Sequence, residues 1–564
     1  MRKLFYSIIG CTFFLTGMSG CNKFLDRAPL SAPATGTFLN NENEINVSLT
    51  AVYASIKWEF GLVPYQSGSE GWTDIAILRA NELGEGTFDT YNAHPAAIWS
   101  FAYATIQRAN TMLDGMVNAK ANVAPANYSR MEAEARVLRA WAYFYLSAMF
   151  GDAPLITKPL QPNEFYNQKR TPKQDVIKFI YAELDEAAKS LDWLPGVRGR
   201  VSKSVALGLK ARTALYNKDY AIAADAAKQV IDKAGLSLNP RFQDLFTRSG
   251  QKPNAGNEIM LEVLYTDALA GSITYLPLGN CSRAAGGQSG RFPNQRLVDQ
   301  FECTDGKRID ESSSYDPQHP SKNRDLRLKY TVALPGDTVT MNNTTFVYDI
   351  YKSSTSFRNA DGSWSVKGNA DFDNAFGPAK SGVGYLWTKY TMTDENVFLS
   401  KVSFILMRYA EVLLTYAEAK IELGQMDATV TAAINKVRQR AGQPAVPAAI
   451  ETDQYELRKL VRRERTVELA VEGFRWFDIR RWGIADLVMP GKVVGIAKNP
   501  AAMPPVPNFK KTAAHDLNSI PDYTGQLDVR YTRETRFWTP KLMLLPVPQA
   551  ERDINPGLTQ NEGW

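Results

Sequence analysis

Histidine is scarce in this chain: His94, His319 and His515 are the only three in 564 residues. They lie far apart in sequence and none stands in an H-E-x-x-H pattern, which disfavours a zinc hydrolase. A G-x-S-x-G nucleophile turn and a phosphate-cradling G-x-x-x-x-G-K are also missing. Charge of one sign is nowhere concentrated, because the lysines and arginines behind the formal +6 alternate with acids; no nucleic-acid footprint results. Beyond the first twenty residues no apolar run is long enough to cross a bilayer, which takes about 20 such residues. Cysteine is sparse too, with only four. Cys11 lies inside the apolar leader and Cys21 at its end, leaving Cys281 and Cys303, which could pair in an oxidising compartment.

The leader itself is informative. Arg2 and Lys3 precede an apolar stretch at 4–16, the dimensions of a bacterial secretory signal. It ends in Met18-Ser19-Gly20-Cys21, which resembles the lipobox of bacterial lipoproteins, whose cysteine becomes the lipidated first residue. Residues 1–20 are therefore expected to be removed and Cys21 to carry the anchor; several acyl chains on one cysteine make a lasting tether where one chain is marginal. A cleaved signal with a chance cysteine is the competing reading.

The body, 21–564, reads as mainly helical. Ser129-x-x-Glu132 has the spacing of a capping box, opening a helix whose face runs Met131, Leu138, Tyr145 and Met149 and which Gly151 and Pro154 stop. Thr171-Pro172-Lys173-Gln174 reads as a second box with proline at the first helical position, followed by Val176, Phe179, Ile180, Leu184 and Leu191 on one stripe. Two stretches, 211–235 and 418–442, match at a constant offset that pairs Ala226 with Ala433, Val230 with Val437 and Gly235 with Gly442. Each reads as helix, tight turn and helix ended by glycine, the logic of tetratricopeptide repeats that bury a core by stacking. The expected fold is mainly α: a tetratricopeptide-like helical-hairpin scaffold at about 40–245 and 400–480, with long irregular loops and a few short β-hairpins on one face.

The loop-rich elaboration covers about 250–400 and 485–545. Residues 258–266 read as a strand and 330–350 as a hairpin around Met341-Asn342-Asn343. The stretch 353–382 is rich in Gly, Ser, Asn and Asp yet carries Phe357, Trp364, Phe372 and Phe376, too many aromatics for a disordered segment.

Several motifs together carry a family resemblance: NKFLDRAP after Cys21, EAEARVLRAWAYFYLSAMFGDAPLIT at 132–157, ILMRYAEVLLTYAEAKIELG at 405–424, RRERTVELAVEGFRWFDIRRWG at 462–483, and LLPVPQAERDINPGLTQNEGW at 544–564. In order and spacing the chain resembles the SusD/RagB nutrient-binding outer-membrane lipoproteins of Bacteroidetes from end to end. The resemblance implies about four tetratricopeptide-like units and a cell-surface body. It also implies a TonB-dependent β-barrel transporter of the SusC type, to which captured oligosaccharide, or in some members peptide, is passed. Catalysis is not implied.

A peptide-binding receptor of the same fold is the first rival reading and a surface glycosidase the second; Glu464, Glu468 and Glu472, four apart on a helix expected at about 454–472, are the acids that invite the latter. Abundant arginine nearby favours ionised, paired acids over a general acid with a raised pKa. Trp476, Phe477 and Trp482 are assigned to the core, as are Trp99 and Trp387. Asn369-x-Asp371-x-Asp373 opens like a calcium loop, but Asn374 and Lys380 stand where glycine and a bidentate acid belong; no cofactor is expected.

Sugars present weakly apolar faces rimmed by hydroxyls, so a binder needs exposed rings beside a few polar partners. Two regions supply them: 67–94 with Trp72, Asp74, Arg79, Tyr91 and Asn92, and the inserted region with Tyr275, Arg283 and Trp364. The resemblance places the ligand site on loops corresponding to these two regions. Trp72 and Trp364 are the expected stacking platforms.

Overall fold

The computed structural model describes residues 39–269, 271–373, 377–392, 395–501, 506–510 and 520–564. The leader, Cys21 and the NKFLDRAP motif lie outside the described residues, as do Asn374, Phe376 and His515.

Ten helices carry the scaffold: α1 Glu42–Ser55, α2 Ala93–Gly115, α3 Pro125–Phe150, α4 Lys173–Ser190, α5 Lys203–Tyr216, α6 Tyr220–Lys233, α7 Tyr409–Glu422, α8 Ala428–Arg440, α9 Gln454–Glu468 and α10 Arg475–Arg481. The two matched stretches form the hairpins α5–α6 and α7–α8, and α6 packs on α7, so the copies stack on each other. Ala226, Val230, Ala433 and Val437 are all buried along these helices. Gly235 and Gly442 follow the hairpins at φ of 66° and 71°, the left-handed conformation that ends a helix and that side chains with a Cβ resist. Between them α7 is buried on nearly every side, Val412, Leu413, Leu414 and Ala417 among its apolar residues, while its buried Glu411 and Glu418 are paired with Arg212 and Arg481.

Helix starts were less legible. α3 opens at Pro125, one turn before the Ser129 box, because proline at the first helical position needs no N–H partner there; Glu132 instead bonds Arg136 along the helix at 2.7 Å. The Thr171 box does not form either. Thr171 is drawn into a bridge with Ala153, and α4 is capped from a neighbouring loop by Asp152, whose carboxylate accepts from the Lys173 N–H at 2.8 Å. Gly151 does end α3.

Ten strands matter for the elaboration: β1 Ala76–Leu78, β2 Ile259–Val263, β3 Arg291–Pro293, β4 Thr338–Met341, β5 Thr344–Val347, β6 Ser354–Arg358, β7 Trp364–Gly368, β8 Phe404–Arg408, β9 Gly491–Ala497 and β10 Arg530–Arg536. The strand read at 258–266 is β2, paired antiparallel with β8. β4 and β5 turn tightly through Asn342 and Asn343, both at positive φ (50° and 58°), as a two-residue hairpin demands. β6 and β7 extend that hairpin into a four-stranded sheet ordered β7-β6-β5-β4, so much of 353–382 is regular structure.

Buried ion pairs tie this elaboration to the scaffold. Arg327 reaches Glu464 at 2.8 Å and Glu468 at 3.1 Å on α9. Arg408, ending β8, holds Glu258 at 3.0 Å, Glu468 at 2.5 Å and Glu472 at 2.7 Å. Arg438 takes Glu464 at 2.6 Å, Arg440 takes Glu468, and Lys389 takes Glu472 at 2.6 Å. α9 ends at Glu468, so Glu472 is presented from the turn beyond it rather than from the helix. Burial alone would raise these three carboxyls; the guanidiniums of Arg327, Arg408, Arg438 and Arg440 and the Lys389 ammonium outweigh it and hold all three below the ordinary range.

Cys281 and Cys303 are not joined. Both are free thiols buried against their own loops, Cys281 after the short helix Leu276–Asn280 and Cys303 in a bridge with Arg324. Burial pushes the Cys281 thiol up to about 12, with Asp371 adding to the effect.

Candidate functional site

β1 pairs antiparallel with β3, Leu78 opposite Arg291, which brings the two candidate regions onto one small sheet. β10 lies alongside. Arg536 is buried and donates to the carbonyl oxygens of Thr73, Gly71 and Ala76, the latter two at 3.2 and 2.8 Å, while Glu534 accepts from Asn81 at 2.8 Å. Asn81 also caps the short helix Glu82–Glu85, which Gly86 ends at φ 76°. The chain then runs through 87–91 to Asn92, the cap of α2, whose side chain accepts from the His94 N–H at 3.0 Å and donates to Glu82 at 2.8 Å.

A cavity of about 580 Å³ opens along this path, lined among others by Trp72, Asn81, Glu82, Tyr91, Asn92 and His94. Tyr91 is its outward ring, 72 % exposed. Trp72 is not a platform: at 3 % exposure it forms the floor, its ring 5.7 Å from Tyr65 and 5.2 Å from His94. The 3-10 turn Glu70–Trp72 directs it inward against the core. His94, considered in the sequence only as a metal ligand, is part of the wall. Its Nδ1 is buried with no hydrogen-bond partner, and burial pushes the imidazole below its ordinary value against the pull of Glu82. The imidazole is thus a neutral part of the cavity wall. Asp89, whose carboxylate accepts from the Tyr91 N–H at 2.9 Å, shapes the rim.

The remaining candidates divide. Asp74 is spent on structure: its side chain is fully buried and takes both arms of Arg475 at 2.8 Å, with Arg296 at 3.6 Å. Burial would raise its carboxyl, and Arg475, Arg296 and Arg536 more than reverse this. Arg79, the residue after β1, lies half-exposed against the loop before β3, donating to the carbonyls of Gln288 and Ser289 at 2.8 and 2.7 Å. Arg283, from the second region, sits on that same loop. Tyr275 packs against the core and Trp364, 49 % exposed, stands on the outer strand β7; neither lines the cavity. In the calcium-like stretch Asn369 bonds the carbonyl of Lys352 at 3.0 Å, and Asp371 accepts from Ser282 Oγ and the Arg283 N–H at 2.5 and 2.9 Å, so these side chains clamp loops together. Among the described residues no group of acids, histidines and cysteines is arranged to hold a metal ion.

A second cavity of about 330 Å³ lies on the helical side between α2 and the short helix Gln549–Ile554, lined by apolar groups such as Trp99, Tyr103 and Leu558. Its lining is the more apolar of the two, which suits a hydroxyl-rich ligand less well than that of the Tyr91 cavity.

The sequence profile described as the SusD family matches residues 259–564, and one described as starch-binding associating with outer membrane matches 23–215. SusD-like protein P2 of Formosa agariphila is 27% identical over 556 residues, covering 90% of this chain and 94% of the relative. A crystal structure of a SusD-like carbohydrate binding protein from Bacteroides fragilis superposes with a TM-score of 0.75 at 28% identity, covering 93% of this chain and 100% of that one. Surface glycan-binding protein A from Bacteroides uniformis shares the fold, with a TM-score of 0.63 at 21% identity over 92% of this chain and 99% of its own.

Proposed function

The chain belongs to the SusD family, and from that premise we propose that it captures an oligosaccharide at the cell surface in the Tyr91 cavity. The observation that carries this reading is the outward aromatic face of Tyr91 on a cavity of about 580 Å³ whose lining also holds the accessible polar side chains of Glu82, Asp89 and Asn92. A pyranose lays its C–H face on the tyrosine while its hydroxyls bond Glu82, Asp89 and Asn92. The profile description of outer-membrane association supports a location there. With it go acyl chains on Cys21, a body facing the exterior, and delivery of the glycan to a SusC-like TonB-dependent barrel.

A hydrolytic role has less to stand on. Glu464, Glu468 and Glu472 are buried in ion pairs, and none is held protonated as a general acid must be. The test is calorimetry of the full chain in detergent against a glycan panel. Wild type is expected to bind at millimolar to micromolar Kd, roughly −4 to −8 kcal/mol, without turnover. Tyr91→Ala should weaken binding by about tenfold, near 1.4 kcal/mol. Binding unaffected by Tyr91→Ala would remove the cavity from the account, and turnover would replace capture with catalysis.

A further inference from the structure

The described chain begins at Leu39, which packs over the C-terminal end of α2: a Cβ on Gly115 would come within 2.6 Å of its side chain. The Asn40 carbonyl accepts from Asn122 Nδ2 at 2.9 Å, so the point where residues 21–38 join the body is fixed beside that helix end. Along α2 from there lies the second cavity, of about 330 Å³, between α2, the segment 154–168 and the short helix Gln549–Ile554. Gly115 and Gln107, which lines it, are separated by about 12 Å of helix at 1.5 Å per residue.

The polar groups inside this cavity are committed. The Tyr103 hydroxyl donates to the Pro154 carbonyl at 3.0 Å and Asn110 Nδ2 to the Ile156 carbonyl at 2.9 Å, which leaves rings and aliphatic groups to face the space. On its lining Phe165 and Ile554 stand exposed, and two opposite charges accompany them. Lys158 is exposed, with Glu164 no nearer than 3.9 Å. Glu551 is half-buried, and its carboxylate has no hydrogen bond or ion pair among the described residues; burial raises its carboxyl and no cation reverses the effect. An open apolar cavity with exposed apolar groups at its rim marks a surface made to be covered.

The chain before Leu39 has matching chemistry. Its NKFLDRAP motif sets Phe24 and Leu25 directly before Asp26 and Arg27, an apolar pair followed by one charge of each sign. From Leu25 to Leu39 the extended chain spans up to about 46 Å, several times the length of helix to be covered. We infer that this segment is the occupant: Phe24 and Leu25 enter the α2 cavity, Asp26 meets Lys158 and Arg27 meets Glu551. On the anchor reading above, only Asn22 and Lys23 then separate the cavity from the acylated Cys21, so the body is held close to the membrane by its α2 side. The docking itself needs no acyl chain, and its test stands apart from that reading and from glycan capture.

Hydrogen exchange read by mass spectrometry on the full chain in detergent follows the amides of 22–30. Leu25→Asp changes the segment alone, Ala104→Trp plugs the cavity from an exposed position on its lining, and Ile554→Asp serves if the tryptophan variant fails to fold. Wild type is expected to exchange these amides about tenfold or more slowly than Leu25→Asp and Ala104→Trp do, at a rate independent of protein concentration. Arg27→Glu speeds exchange, and adding Glu551→Arg restores part of the protection. Exchange in wild type as fast as in Leu25→Asp overturns the proposal. Slow exchange that neither Ala104→Trp nor Ile554→Asp alters places the segment elsewhere and overturns it equally. Protection that grows with concentration gives the cavity to the segment of a second copy, which also overturns it.

Discussion

The α9 region and the loop face around β1 both carry dense charge, but they use it in opposite ways. Beneath the loops Glu464, Glu468 and Glu472 meet Arg327, Arg408, Arg438, Arg440 and Lys389 in bonded pairs, all of them buried. At the loop face Glu82 and Asp89 stand exposed on the cavity lining and Tyr91 turns outward beside them. Burying unpaired charge costs several kcal/mol per ion, so the interior network must be complete for the chain to fold. The face is spared that demand and can leave groups for a visitor. Around α9 charge is structural, because its partners come from the chain.

The sharpest way to break the contrast is inside the network. Arg408→Ala takes one cation from each of Glu258, Glu468 and Glu472 at once, and we expect a loss of about 3–5 kcal/mol in denaturant unfolding; a change below about 1 kcal/mol would mean that the pairs are not structural. Trp72→Ala should come next. Because the ring is core rather than platform, the variant is expected to lose about 3 kcal/mol of stability, and a fully stable variant with weakened glycan binding would restore the platform role.

Glu70 sharpens the boundary between the two regions. It is buried just before Trp72, with its carboxyl pushed up to about 8 by burial, which the N–H groups of Val471 and Gly473 and the charges of Lys389 and Arg475 only partly offset. The folded value lies above the ordinary 4.5, so the folded state holds its proton more tightly than the unfolded chain. Stability from this group is present below about pH 4.5 and is lost as pH rises toward 8. Glu70→Gln should therefore match wild type at pH 5 and exceed it at pH 8.5 by up to about 2 kcal/mol; equal melting curves at both pH values would refute the burial argument. The smallest stability effect belongs to Tyr91→Ala, within about 0.5 kcal/mol of wild type, even though it weakens glycan binding.

These differences also explain what could be read from the sequence. The matched hairpins at 211–235 and 418–442 were legible because small residues and terminal glycines recur at fixed helical positions, and the structure places each in the role its chemistry dictates. The capping boxes at Ser129 and Thr171 misled, because Pro125 and Asp152 had the prior claim on those helix ends. For the site, the stretch 67–94 was legible as a loop rich in aromatic and polar groups. Which side chains turn outward was not, since the turn that buries Trp72 depends on Tyr65 and the core beneath it. The framing of this loop depends on β1, β3 and β10 converging from distant parts of the chain, and no local pattern encodes that. The short supply of histidine did hold a clue: Asn92 two residues before His94 is a helix cap, which fixes where that ring must sit.

That same scarcity gives the most direct test. With three histidines in the chain, a side-chain nitrogen NMR spectrum carries few signals and each can be assigned by substitution. On titration with a glycan that the protein retains, the account predicts that the His94 resonance shifts saturably with the calorimetric Kd while that of His319 stays fixed. A glycan that binds with full affinity and leaves His94 unmoved would place capture elsewhere on the molecule and contradict the account.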